Sequence, residues 1–141
     1  MSAVIEAAIP TYVDIAVEAD LLRVRTALRQ HAVAAGFGIV DQTKLVTAGS
    51  ELARNILRYA NRAPADLRVE SVELAGRTGL RAVFSDEGPG IADLDAALGD
   101  GYSTGGTLGL GLPGARRLVD EFDIDTAPGV GTRVTITKWK R

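Results

Sequence analysis

The sequence predicts an α+β two-layer sandwich: a mixed, largely antiparallel sheet with helices on one face. Three observations lead there. Turn signals join strands into pairs at two places, two helical patterns follow one another with no strand between them, and strands and helices do not alternate as a doubly wound parallel sheet requires. The resulting order is β-α-α-β-β-loop-α-β-β. At 141 residues the chain is predicted to form one domain over 1–141, with roughly the first ten residues flexible.

Residues 12–18 (YVDIAVE) alternate in the period of a half-buried strand. Asp20 is placed to cap a helix in which Leu21, Val24, Leu28 and Ala32 recur at helical spacing, and Gly36 is placed to end it. A second helix is expected from near Asp41 to about Tyr59, stopped by Asn61-Arg-Ala-Pro64. Strands at 67–75 and 80–85 flank the hairpin signal Gly76-Arg-Thr-Gly79. The long irregular segment from 86 to about 107 holds one short helical pattern, Ala92–Leu98, and a loop of that length inside a domain is usually functional. A helix over about 109–120 and strands at 122–126 and 132–138, turning at Pro128-Gly-Val-Gly131, complete the chain.

The composition, 46% hydrophobic and 24% charged, is that of a soluble globular protein. A net charge of −2 with no basic stripe gives no reason to expect nucleic acid as a partner. The absence of cysteine excludes disulfides, thiolate metal sites and cysteine nucleophiles. With His31 the only histidine, His-clustered metal sites are excluded too. No basic n-region precedes an apolar run at the N-terminus and no apolar stretch is long enough to span a bilayer, so a cytoplasmic protein with no membrane partner is expected.

Three stretches carry chemistry. Gly105 to Gly114 (GGTLGLGLPG) runs straight into a helix, where unpaired N–H groups and the helix dipole converge to favour an anion. A flexible surface loop is the plainer reading of the same glycines. Gly109-Leu-Gly111-Leu-Pro-Gly114 matches G-x-G-x-x-G in form, but no strand precedes it and Gly129, not an acid, lies about 20 residues on, so a dinucleotide fold is rejected. A P-loop is excluded because no Gly-Lys-Ser/Thr follows.

In the second helix, Glu51 and Asn55 lie one turn apart on one face. At about 100° per residue, Leu45, Val46, Ala48, Gly49, Leu52, Ala53, Ile56, Leu57 and Ala60 form a broad apolar stripe with Asn55 just outside its edge and Glu51 further round. Arg54 and Arg58 are expected on the solvent side. An amide oxygen at such a rim suits Mg²⁺, which takes few protein ligands, and a nearby carboxylate can orient or deprotonate an attacking hydroxyl. Taken alone, the plainer reading is a solvated glutamate and an incidental polar asparagine on the helix. Third, Asp86-Glu-Gly88-Pro-Gly90 ends an apolar strand, either as a plain turn or as a carboxylate that accepts a hydrogen bond from an exocyclic amine such as adenine's.

Together, Glu51-x-x-x-Asn55, Asp86-x-Gly88-x-Gly90, Gly109-x-Gly111 and Gly129-x-Gly131-Thr132 resemble the four boxes of the GHKL (Bergerat-fold) ATPases, the superfamily of gyrase, Hsp90, histidine kinases and MutL. The wording ELARNILRYA, DGYSTGGTLGLGLPGARRLVDEF and GVGTRVTITKW is similar to the RsbT-type switch-protein serine kinases of bacterial stress-response partner switching. The resemblance implies ATP and Mg²⁺ as cofactors, a STAS-domain antagonist of the stressosome as phosphorylation substrate, and a Ser/Thr phosphatase activated by binding. It implies Glu51 as the catalytic carboxylate, Asn55 as the Mg²⁺ ligand and Asp86 as the reader of the adenine amine, with Gly88, Gly90, Ile91 and Thr132 around the base. Gly109, Gly111 and Leu112 would contact the phosphates through the backbone. Residues 92–107 would form an ATP lid carrying Ser103, Thr104 and Thr107 as hydroxyl contacts.

Two alternatives stand beside it. One is an anti-sigma-factor serine kinase, which Arg58-Tyr59 disfavours because such members tend to carry a histidine shortly after the helix asparagine. The other is a docking module whose main output is phosphatase activation. His31 lies in a helix inside the domain with no dimerising hairpin before it, so a self-contained histidine kinase is not supported. Trp139 and the closing Lys-Trp-Lys-Arg are expected as a strand end with a solvated tail, and Arg54, Arg58, Arg116 and Arg117 as exposed candidates for a partner surface.

Overall fold

Alternating strands and two successive amphipathic helices give a layered structure, seen in a computed structural model that describes residues 5–6, 9–60, 62–92, 98 and 112–141. The strands are β1 (Ile5–Glu6), β2 (Thr11–Asp14), β3 (Ala65–Leu74), β4 (Arg77–Asp86), β5 (Glu121–Ala127) and β6 (Gly131–Trp139). The helices are α1 (Asp20–Ala34), α2 (Ile39–Tyr59) and α3 (Leu112–Leu118). The sheet runs β1-β3-β4-β6-β5, with β2 also on β3, and every described pairing is antiparallel. The reason is the helix pair. α1 leads the chain back along the sheet and α2 returns it, so β3 enters opposite to β2 and pairs with it directly. β6 is then inserted between β4 and β5, which separates the two strands that run the same way.

Leu80, Ala82 and Phe84 of β4 and Val134 and Ile136 of β6 face the helices and are buried, as are Val24 and Leu28 of α1 and Leu45, Leu52 and Ile56 of α2. Gly49 marks the closest approach of the layers: a Cβ there would lie 2.2 Å from Leu28 Cδ1 and 3.3 Å from Phe84 Cζ. Gly36 ends α1 as expected, with φ +84°, and the N–H groups of Gly36 and Phe37 close onto Val33 and Ala32.

Several local expectations are corrected. β2 ends at Asp14 rather than continuing to 18, and α2 begins at Ile39, before Asp41. Asp20 is the first residue of α1 and makes no cap; its Oδ2 turns back to accept the N–H groups of Ala16 (2.9 Å) and Val17 (3.1 Å), and its Oδ1 pairs with Arg23. Those N–H groups, Ala16's first, hold its carboxyl below the usual aspartate range. The free donors of the strand-to-helix corner thus outcompeted those of the helix start. The β3–β4 hairpin is tighter than predicted, turning on Ala75 and Gly76 at φ 52° and 80° with Leu74 opposite Arg77, a two-residue loop whose twist matches that of its strands. No strand is expected from the sequence at Ile5–Glu6, which pairs with Glu73 and Val72. Trp139 ends β6 as expected, with Lys140 and Arg141 exposed beyond it, but its side chain is anchored. It is 3% exposed; its indole N–H donates to Glu121 (2.7 Å) and the Arg77 guanidinium stacks 4.6 Å above the ring. Of the short helix expected at Ala92–Leu98, Ala92 is a bend, Leu98 is helical and 93–97 lie outside the described residues.

Candidate functional site

The site forms where β4 runs out. Asp86 is the last residue of β4, paired with Ala65 of β3 on one side and Thr132 of β6 on the other. Its carboxyl is half-buried, and Oδ1 accepts the Gly88 N–H at 2.9 Å. Burial raises its pKa above the ordinary aspartate value, and the Gly88 hydrogen bond only partly opposes this. Two glycines bring other backbones against this strand end. Gly131, at φ +150°, would put a Cβ 2.1 Å from the Asp86 carbonyl oxygen, and Gly90, at φ +77°, would put one 2.4 Å from that of Ala127. No side chain fits at either position, so the β5–β6 turn packs on the chain around the end of β4 by backbone contact.

Thr126 holds this junction and was missed in the sequence. Its Oγ1 accepts the Ile91 N–H at 2.9 Å, lies 2.9 Å from Thr132 Oγ1, and lies 3.2 Å from the Gly131 carbonyl. One hydroxyl thereby ties the segment leaving β4 to the start of β6. The available signal was strand parity: Phe122, Ile124 and Thr126 are the half-buried positions of β5, and a hydroxyl on that face needs partners.

Between α2 and the sheet lies a cavity of about 420 Å³, within the range of small-molecule sites. Leu52 and Ile56 of α2, Phe84, Val134, Ile91 and Leu112 supply apolar wall, and Asn55, Asp86, Gly90 and Thr132 also line it. A mostly apolar cavity with one carboxylate in its lining suits a heteroaromatic ring that carries an amine. Asn55 is part-buried in that wall, and its amide makes no hydrogen bond to any described residue, which leaves its oxygen available to a ligand. Among the described residues no group of three or more His, Cys, Asp or Glu could hold a metal. A single hard oxygen still suits Mg²⁺, whose remaining ligands are phosphate oxygens and water.

Asn55, Asp86, Gly90, Ile91, Leu112 and Thr132 are therefore brought to one cavity, with Gly88 bonded to Asp86 beside it. Glu51 stands one turn before Asn55, outside the lining, its side chain 38% exposed. Ser103, Thr104, Thr107, Gly109 and Gly111 lie outside the described residues, as does most of the segment 92–107. Arg54 does not simply face solvent: it donates to Glu51 Oε1 at 2.9 Å. Arg58 is exposed but borders the cavity; Arg116 and Arg117 are exposed. His31 is a part-buried helix residue, its Nε2 2.8 Å from Thr11 Oγ1, and burial lowers its pKa.

Over residues 40–141 the sequence matches the family described as "Histidine kinase-, DNA gyrase B-, and HSP90-like ATPase". The chain belongs to this ATPase family. Its sequence is 44% identical over 129 residues to "Serine/threonine-protein kinase RsbT" of Bacillus subtilis (strain 168), covering 92% of this chain and 96% of that protein. Among solved structures, the RsbU and RsbW domains of Rv1364c from Mycobacterium tuberculosis share the fold, with a TM-score of 0.64 and 22% identity over 95% of this chain and 33% of that longer one. In this ATPase family member, no helix among the described residues is long and apolar enough to cross a membrane.

Proposed function

We propose that the chain is an ATP- and Mg²⁺-dependent protein serine/threonine kinase of partner switching, which phosphorylates a STAS-domain antagonist and binds and activates a Ser/Thr phosphatase. The observation that carries this reading is the shared cavity of Asn55 and Asp86 in a chain nearly half identical to a named serine/threonine kinase along almost its whole length. Asp86, ionised, accepts the adenine amine while the apolar walls take the ring. Asn55 offers its amide oxygen to Mg²⁺, and the metal, when bound, neutralises charge on the phosphates. Leu112, in the first turn of α3 at the cavity wall, places the helix start beside the phosphates.

Glu51 lies one helical turn from Asn55 and so beside the triphosphate. It takes the proton of the acceptor hydroxyl as the new O–P bond forms and the bond to ADP breaks. The protein works in the cytoplasm. Incubation with Mg-ATP and a STAS-domain protein from the same genome should transfer phosphate to a serine or threonine. Glu51→Ala should slow transfer by about 10²–10⁴-fold, and Asn55→Ala should abolish Mg²⁺-dependent nucleotide binding. Wild-type transfer rates in both variants would show the site to be misassigned.

A further inference from the structure

α2 holds an ion pair whose arginine the reading above leaves unused. Arg54 Nη1 donates to Glu51 Oε1 at 2.9 Å across one helical turn, with side chains 32% and 38% exposed. An ion pair this open contributes little to stability. At about 100° per residue, Glu51 lies between Asn55 on its cavity side and Arg54 on its outer side. The neighbouring i,i+3 pair, Asp20 with Arg23, is different in kind. There the second carboxylate oxygen is taken by two backbone N–H groups, so the whole carboxylate serves the fold. Glu51 Oε2 makes no hydrogen bond to any described residue. One oxygen is held and the other is left to work.

We propose that Arg54 is a positioning residue for phosphoryl transfer: it grips Glu51 by Oε1 so that Oε2 is presented to the acceptor hydroxyl. This rests on the kinase reading and on Glu51 as its base. In the transfer the acceptor O–H proton passes to Oε2, the acceptor oxygen bonds the γ-phosphorus, and the bond from that phosphorus to the ADP oxygen breaks. Arg54 exchanges no proton. Its part is geometric. A free glutamate rotates among staggered rotamers, and fixing one removes that loss from the barrier.

The test uses the full chain with Mg-ATP and the STAS-domain protein as acceptor, measuring kcat, both KM values, affinity for a fluorescent ATP analogue and melting temperature. Arg54→Met should lower kcat by about two- to fivefold while leaving analogue affinity and melting temperature as in the wild type. Arg54→Lys should recover part of that loss. In a Glu51→Gln background, Arg54→Met should cost nothing further, because a residue acting through Glu51 has nothing left to position. Unchanged kcat in Arg54→Met, multiplying losses in the double variant, or a matching fall in analogue affinity would each overturn the proposal. If Glu51→Gln itself transfers at the wild-type rate, the base assignment fails and this role with it. If the wild type transfers no phosphate, the kinase reading fails.

Discussion

Asp86→Asn separates what the site does for nucleotide from what it costs the fold. The substitution keeps size and keeps an oxygen for the Gly88 N–H, so the turn after β4 survives. What it removes is the ionised acceptor for the adenine amine. Hydrogen bonds to charged groups are worth about 1.5–3 kcal/mol, which at about 1.4 kcal/mol per tenfold weakens ATP binding by roughly ten- to two-hundredfold. Stability moves the other way. Burial raises the pKa of Asp86 in the folded protein, so the folded state favours the protonated acid. Its contribution to stability is therefore present below the ordinary aspartate pKa and is lost as pH rises through the raised value. At neutral pH the wild type carries a half-buried carboxylate that the variant lacks, so the nucleotide-free variant should melt no lower than the wild type. Its advantage should grow with pH across that window. Nucleotide titration and melting curves from pH 4 to 8 read both effects. ATP affinity as in the wild type, together with a lower melting temperature at neutral pH, would refute the reasoning.

Two further substitutions probe the frame of the site. Gly49→Ala places a methyl 2.2 Å from Leu28 Cδ1, a fully buried side chain, and should cost about 1–3 kcal/mol in urea denaturation by overpacking. Thr126→Val preserves shape but leaves the Ile91 N–H without its acceptor. It should cost about 1–3 kcal/mol of stability and weaken ATP-analogue affinity, since Ile91 and Thr132 both border the cavity; a variant that keeps both values shows the hydroxyl to be dispensable.

The layout was legible in the sequence wherever local pattern and tertiary packing ask for the same thing. Leu21, Val24, Leu28 and Ala32 declared the buried face of α1, and Gly36 its end, because a helix period and a left-handed terminator are local properties. Asn55 and Asp86 could be singled out because each breaks a local pattern: one is polar at the rim of an apolar stripe, the other is acidic at the end of an apolar strand. Their meeting in one cavity follows from α2 packing across β4, which neither segment specifies alone.

The contacts that the sequence did not reveal share one cause. Asp20, Arg54, Thr126 and Trp139 are residue types whose environment depends on which partners arrive from elsewhere. As a helix cap and a solvated arginine the first two had a sufficient local explanation, while nothing local singled out Thr126 and Trp139 read only as a strand end. Ala16 and Val17, Glu51, Ile91 with Thr132, and Glu121 with Arg77 supplied other partners once the chain had folded. Apolar periodicity is written along the chain because it comes from solvent exclusion, which acts on each element separately. Polar pairing is directional and needs two groups within about 3 Å, so it exists only after the strands have taken their order and register.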